Sequence, residues 1–430
     1  MTLRPEAGFR PEVVGPTGGA GLRVLMVSLH TSPVDLPGSG NAGGMNTYVL
    51  QTAHSLAVLG VRVELVTGTT GPGRSRAVDT GVHLHEVPAR AARDPAAKAA
   101  AAVEFGSAVL TAVGRCDVVH GHYWLSGLAA QHIGAAWGAA FVQSSHTLAA
   151  VKSHALHDPG SEPAVRVAAE TGFARTADRL VANTDVEAAQ LVRWCAADPE
   201  RVSVVEPGVD LAVFRPADRG DTGWRTTRRD LGISPDEPVV AYIGRLQPLK
   251  APDVVIAAAG PLLELLVRAG HPPRVTVVVC GAPAGRAEGE MERLRALAAA
   301  APRGVTIRFL EPRPAPALAE LYRAVDVVAV PSRSESFGLV ALEAQASGTP
   351  VLAASVGGLP RAVATASSLV DGHDPRDWAA ALAWLLTDRD GRGAAVAAGL
   401  AYASGFSWDR TARGLLAVYR RALADRADRS

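Results

Sequence analysis

The sequence predicts an α/β protein of two doubly wound domains in tandem, facing each other across a cleft. Three observations predict it. Short β-branched apolar runs alternate with helix-like stretches, the pattern of parallel sheets. The alternation occurs twice, with a charged stretch containing Pro and Gly in between. The chain has 430 residues, 48% hydrophobic and 20% charged, enough for two medium cores.

The elements follow in order. Residues 1–20 are rich in Gly and Pro without periodicity and read as a flexible tail. The first domain spans 21–205. It opens with the strand Leu22–Leu29, a Gly-rich loop Gly38–Gly44 and an amphipathic helix Met45–Leu59. Val61–Val66 and Val82–Val87 are further strands, and Ala91–Val113 is a helix. Asp117–His120 and Ala140–Gln143 are strand ends, and Val202–Val205 closes the domain. Residues 206–237, with Pro207-Gly208 and Pro216, read as a linker. The second domain, 238–405, carries strands at Val239–Ile243, Val275–Val279, Val305–Phe309, Val325–Val330 and Pro350–Ala353. Residues 406–430 hold a last helix, Trp408–Leu423, expected to cross back toward the first domain.

The formal net charge is +1, so no single-sign field points to nucleic acid or to an anionic membrane. The three cysteines, Cys116, Cys195 and Cys280, are too far apart in sequence for a metal spacing or a disulfide framework. With no signal-peptide pattern and no long apolar run, a reducing, cytoplasmic setting is expected. Of 43 basic side chains three are lysines, Lys98, Lys152 and Lys250, which makes each worth following.

Chemistry concentrates after the strands, where parallel sheets bind ligands. Glu335-Ser336-Phe337-Gly338-Leu339 leads from an apolar run into a helix that carries Glu343. Eight residues of helix rise about 12 Å, so two carboxylates would flank a diphosphate seated on the helix N-terminus. The bland alternative is that Glu335 caps the helix and Glu343 is solvated. Gly244–Lys250 sets Arg245 and Lys250 beside a glycine turn, a fork and a point charge that suit a diphosphate. Gly43-Gly44-Met45-Asn46 allows close backbone approach before a helix. His120-Gly121-His122-Tyr123-Trp124 and His146-Thr147 line the same rim. Two histidines without a third ligand at metal spacing argue against a metal there.

Together these stretches resemble the retaining family 4 glycosyltransferases of GT-B fold, two Rossmann-like domains facing across a cleft. Within the family they are similar to the actinobacterial branch that glycosylates inositol phosphate in mycothiol synthesis. The resemblance rests on His30-Thr31-Ser32-Pro33, Gly43–Asn46, His122–Gly127, His146–Lys152, Ala182-Asn183-Thr184, Pro207–Asp210, Gly244–Pro252 and Val330–Pro350. It implies a nucleotide-sugar donor and a small-molecule acceptor as the partners. Gly44, Arg245, Lys250, Arg313, Ser336, Phe337, Gly338, Leu339 and Glu343 would bind the donor, with Glu335 and His146 on its sugar. His30, Asn46, Tyr123, Thr147 and Arg166 would line the acceptor pocket. His146, Glu335, Arg245 and Lys250 would take part in transfer. No cofactor is required on this reading; magnesium has a place near the diphosphate, but no side-chain cluster demands it. A homodimer is one option for assembly.

The departures lie in the acceptor half. The lysine that meets the acceptor phosphate in this branch is out of register here, leaving Lys98 or Arg93 to substitute. The run after Arg166 reads Ala168-Ala169-Glu170-Thr171-Gly172 instead of Glu-Glu-Gln. The expectation is transfer of N-acetylglucosamine from UDP-GlcNAc to inositol phosphate. The alternative is a specialised-metabolism relative that uses a UDP- or GDP-sugar and a neutral cyclitol, thiol or thione. A sugar-binding relic without activity is the remaining reading, opposed by the intact Arg245, Lys250, Glu335 and Glu343.

Overall fold

A computed structural model describes residues 21–156, 158, 160–217, 221–283 and 289–428. The expected tail, 1–20, lies outside them. The described residues form two sheets. The first contains β1 Arg23–Val27, β2 Arg62–Thr69, β3 Arg74–Asp79, β4 Val82–Pro88, β5 Val118–His122, β6 Ala140–Ser144, β7 Arg179–Ala182 and β8 Val202–Val204. Its order is β3-β4-β2-β1-β5-β6-β7-β8. The second contains β9 Val239–Ile243, β10 Val275–Cys280, β11 Val305–Leu310, β12 Val327–Val330, β13 Val351–Ala354 and β14 Leu369–Val370, ordered β11-β10-β9-β12-β13-β14. Every pairing is parallel except β3 with β4. Strands β1, β9 and β12 are mostly apolar because helices cover both faces of a parallel sheet, whereas β5 ends in His120-Gly121-His122.

Strand order reverses between β1 and β5 in one sheet and between β9 and β12 in the other. The loops that leave these four strands diverge, and the crevice they open is where such sheets bind ligands. Loops from the two sheets meet. A Cβ on Gly38 would stand 3.3 Å from the Pro312 side chain, and Thr184 Oγ1 lies 3.4 Å from the Ser336 carbonyl oxygen.

The last helix, Trp408–Ala427, returns to the first domain. Trp408, Ala412, Leu415, Leu416, Val418, Tyr419 and Ala422 share a core cluster with Val24, Met26, Tyr48, Leu56 and Val142. Gly208 sits against the backbone of Ser407 and Trp408 at this crossover, and a Cβ there would come within 2.3 Å of it.

Two elements depart from the pattern reading. The stretch taken as linker contains a helix, Thr222–Asp230, packed on the helix Ala315–Ala324 of the second domain. It shows no apolar period because it buries an arginine instead. Arg228 stacks on Trp224 at 4.8 Å and donates to the carbonyls of Ala324 and Ser234. Its start is held by Asp221, which accepts from the Trp224 amide at 2.6 Å. Strand β3 escapes the same reading because Arg-Ser-Arg-Ala-Val-Asp is an exposed antiparallel edge.

Candidate active site

The loops after β9 and β12 bring the expected donor residues together. Lys250 Nζ lies 2.5 Å from Glu335 Oε2, and Ser332 Oγ is 3.3 Å from the same oxygen. Arg245 has no ion pair among the described residues, so its charge is uncommitted. Across the cleft stand Gly43 and Gly44, at the start of the helix Gly44–Val58. A Cβ on Gly43 would lie 3.2 Å from Arg245 Nε, and one on Gly44 3.4 Å from Leu339 Cδ1. First-domain backbone, Arg245 and the head of the helix Leu339–Ala346 therefore share one space.

Glu335 does not cap that helix; Gly338 does, at φ 114, and a Cβ there would collide with Leu359. The loop rests on Gly357-Gly358. A Cβ on either would come within 2.1 Å of a backbone oxygen of Glu335 or Ser336, and the Gly358 amide donates to the Glu335 carbonyl at 2.9 Å. This glycine pair was not singled out in the sequence, although two adjacent glycines following a strand are a visible signal. The Phe337 ring is 2% exposed and packs on Phe406, so its side chain anchors the loop in the core and leaves the backbone to face a ligand.

Glu343 is not a solvated surface group. Tyr322, buried on the helix Ala315–Ala324, donates to Glu343 Oε2 at 2.9 Å, and burial pushes the Glu343 carboxyl up to about 7. Tyr322 is absent from the motifs because its helix packs on this one only in three dimensions. Arg313 follows β11. Its charge lowers the Cys280 thiol, which burial drives up to about 11.

On the first domain the polar groups are occupied with each other. Arg166 is 1% exposed. Its Nε donates to Glu170 at 2.7 Å, its Nη1 to Glu162 at 2.7 Å, and its Nη2 to the Thr147 carbonyl and hydroxyl at 2.9 and 3.1 Å. Tyr123 lies beneath the guanidinium at 4.8 Å. The resemblance implied Arg166 in the acceptor pocket; in the structure its charge is balanced by two carboxylates. Asn46 is likewise spent. Its Nδ2 donates to Thr31 and to the Ser32 carbonyl, while Oδ1 accepts from the Gly43 amide. With both N–H donors used, it braces the loop before the glycine pair.

Lys152, left without a role in the sequence, stands 3.4 Å from Glu162, and burial followed by the Arg166 charge lowers it to about 8. His30 stacks near Tyr123 at 4.4 Å. Burial, then Arg245, His146, Arg166 and Lys152, holds it neutral down to about 3. Those influences converge on His30, which places the cations of both domains around one space. Lys98 sits in the first turn of the helix Pro95–Ala112 with no ion pair or side-chain hydrogen bond among the described residues, and Arg93 precedes it, exposed. His146 lies behind the rim at φ 56, a left-handed conformation rare outside glycine. Thr147, Glu187 and Glu335 flank a narrow cavity of about 20 Å³ between the domains. Among the described residues no cluster of three or more His, Cys, Asp or Glu is placed to hold a metal. No helix among them is long and apolar enough to cross a membrane.

Two largely parallel sheets whose switch points open on one cleft have the GT-B arrangement that the sequence resemblance implies. Comparison with known proteins agrees. Residues 43–208 match the family model for a glycosyl transferase 4-like domain, and residues 225–399 the model for glycosyl transferases group 1. D-inositol 3-phosphate glycosyltransferase of Actinosynnema mirum is 46% identical over 412 residues, 93% of this chain and 97% of that one. Its namesake from Mycobacterium avium is 46% identical over 417 residues, 94% and 95% of the two chains. Sucrose-phosphate synthase of Thermosynechococcus elongatus superposes with a TM-score of 0.78 at 25% identity, over 94% of this chain and 100% of that one. Anabaena HepE in complex with UDP and glucose gives 0.72 at 18% identity, over 92% and 98%, a likeness of fold. The chain belongs to this family of group 1 glycosyltransferases with a family-4-like first domain, and it is a transferase enzyme.

Proposed function

We propose that the protein transfers N-acetylglucosamine, with retention, from UDP-GlcNAc to inositol phosphate. The observation that carries this reading is the meeting of uncommitted Arg245, from the wall that holds the Lys250–Glu335 pair, with the Arg166–Lys152 cluster around His30. Similarity to inositol-phosphate glycosyltransferases over nearly the whole chain supports the acceptor.

In this scheme the diphosphate lies between Arg245, Lys250 and the glycine backbone at Gly43-Gly44. The ribose hydroxyls donate to Glu343, and Glu335 and His146 hold the sugar. The acceptor hydroxyl attacks the anomeric carbon as the bond to the diphosphate oxygen breaks, and its proton passes to that departing oxygen. Arg245 and Lys250 stabilise the charge that collects there. The acceptor phosphate meets Lys152, the remaining N–H of Arg166 and the Tyr123 hydroxyl. A magnesium ion beside the diphosphate would take its ligands from the donor, since the described residues offer no dedicated set.

The test supplies purified enzyme with UDP-GlcNAc and inositol phosphate, follows UDP release, and assigns the product anomer by NMR. Turnover with the α-anomer is expected. Transfer to neutral cyclitols or thiols, without transfer to inositol phosphate, would refute the acceptor assignment.

A further inference from the structure

Behind the rim, His146 leans on two buried rings, His120 and His122, that the transfer scheme does not use. His120 and His122 occupy the inner end of β5, both 0% exposed, and His146 follows β6 at 8%. Their rings adjoin in a row, His120 tilted against His122 with centroids 4.1 Å apart and His122 stacked on His146 at 5.3 Å. His120 is closed on both nitrogens: Nδ1 is 2.8 Å from the Tyr419 hydroxyl and Nε2 is 2.9 Å from Ser144 Oγ. His122 is not. Its Nδ1 lies 3.0 Å from His146 Nε2, and its Nε2 is buried with no partner among the described residues.

The geometry decides where the protons sit. Burial keeps all three imidazoles neutral, so a single proton lies between His122 Nδ1 and His146 Nε2. Suppose it belonged to His146. Then His122 would have to carry its own proton on Nε2, a buried N–H with nothing to accept it. Orphaned donors are rarer in folded proteins than orphaned acceptors. With the proton on His122 Nδ1, the sealed Nε2 is only a lone pair, and His146 must carry its proton on Nδ1. That nitrogen has no partner among the described residues and is not among the sealed atoms.

We propose that His122 is a positioning residue that fixes His146 in the Nδ1–H form, so that His146 offers the donor sugar a hydrogen-bond donor. The strained backbone of His146, φ 56, turns the ring onto His122 and is retained for that contact. The sugar atom it addresses is therefore an oxygen acting as acceptor. A glutamate such as Glu335 suits the complementary task of accepting from a hydroxyl. This inference rests on the reading of His146 as facing the donor sugar.

The first test needs no substrate. Protein labelled with 15N at histidine, with His146 assigned by loss of its signals in His146→Asn, reports the tautomer directly. A protonated Nδ1 and bare Nε2 are expected; the reverse tautomer would overturn the proposal. The second test uses two variants. Asparagine at 122 keeps an N–H at the same branch point, while leucine removes it. Loss of one hydrogen-bonded contact predicts that His122→Leu raises the UDP-GlcNAc KM or lowers kcat about tenfold. UDP alone should bind within about twofold of the parent, and His122→Asn should recover most of the loss. Equal defects in both variants, or UDP binding that falls in parallel, would show a role in folding alone. If His122→Leu does not fold, the tautomer spectrum of the parent still decides. If UDP-GlcNAc proves not to be the donor while the Nδ1–H form is seen, the donor assignment fails and the positioning role of His122 stands.

Discussion

The two walls of the cleft hold charge in opposite ways. On the second domain, Arg245 has no ion pair among the described residues, and Lys250 and Glu335, partly exposed, bond to each other. On the first, Arg166, Glu162, Glu170, Lys152 and Thr147 bond among themselves, with Arg166 at 1% exposure. One wall leaves an arginine unpaired, whereas the other commits its charges to one another. Equal charges in a motif therefore do not imply equal consequences when they are removed.

The sharpest way to break this contrast is Arg166→Ala. Removing one member of a buried pair strands its carboxylates, at a cost of about 3–5 kcal/mol. Denaturant unfolding should show that loss, and Arg166→Met with Glu170→Leu should recover part of it. A variant as stable as the parent would mean that Arg166 is free after all. Arg245→Ala should behave in the reverse manner. Stability should stay within about 0.5 kcal/mol, since no partner is stranded. Loss of a charge-assisted contact of about 1.5–3 kcal/mol should cut turnover at least tenfold. Unchanged turnover would remove the diphosphate from this wall.

The contrast also marks what the sequence can disclose. Arg245, Lys250, Glu335 and Glu343 stand at strand ends in short contiguous motifs, and a parallel sheet makes that position meaningful. The two-domain fold is legible for the same reason, because most buried strands open on or consist of apolar, often β-branched residues. Arg166 and Asn46 look like binding residues in one dimension. Their partners, Glu162 and Glu170 for one and Thr31 for the other, meet them only once loops fold. Lys152 and Tyr322 are hidden by the same limit, in that their neighbours come from other elements. The helix Thr222–Asp230 escapes because it packs through Arg228 and Trp224 rather than an apolar stripe.

A third prediction uses pH. The Glu343 carboxyl, at about 7 against an ordinary 4.5, binds its proton more tightly in the folded state than unfolded. Its contribution to stability is therefore present below about 4.5 and falls as pH rises toward 7. Glu187, also pushed up to about 7 by burial, adds to the same slope. Glu343→Gln should remove part of it, on the order of 1–2 kcal/mol, because the side chain keeps some exposure. Ligand binding should run the other way. Ribose hydroxyls that donate to the carboxylate favour its charged form, so UDP affinity should rise with pH through about 7 in the parent and stay flat in Glu343→Gln. A pH-independent affinity in the parent would separate Glu343 from the nucleotide.

The smallest effect tests the acceptor wall. A phosphate in a partly dry pocket needs cations whose own charge is not fully offset. Lys98 is unbonded but sits in the first turn of a different helix, whereas Lys152 shares Glu162 with Arg166 beside His30. Lys98→Ala should therefore change stability by no more than about 0.5 kcal/mol, as surface substitutions do, and leave the acceptor KM within about twofold. Lys152→Met should raise that KM about tenfold, the loss of one contact to a charged group, with UDP binding unchanged. The opposite ranking would place the phosphate at the outer rim, on the helix Pro95–Ala112. The Arg166 cluster would then be scaffold alone, and its wall would be saturated because no ligand charge ever reaches it.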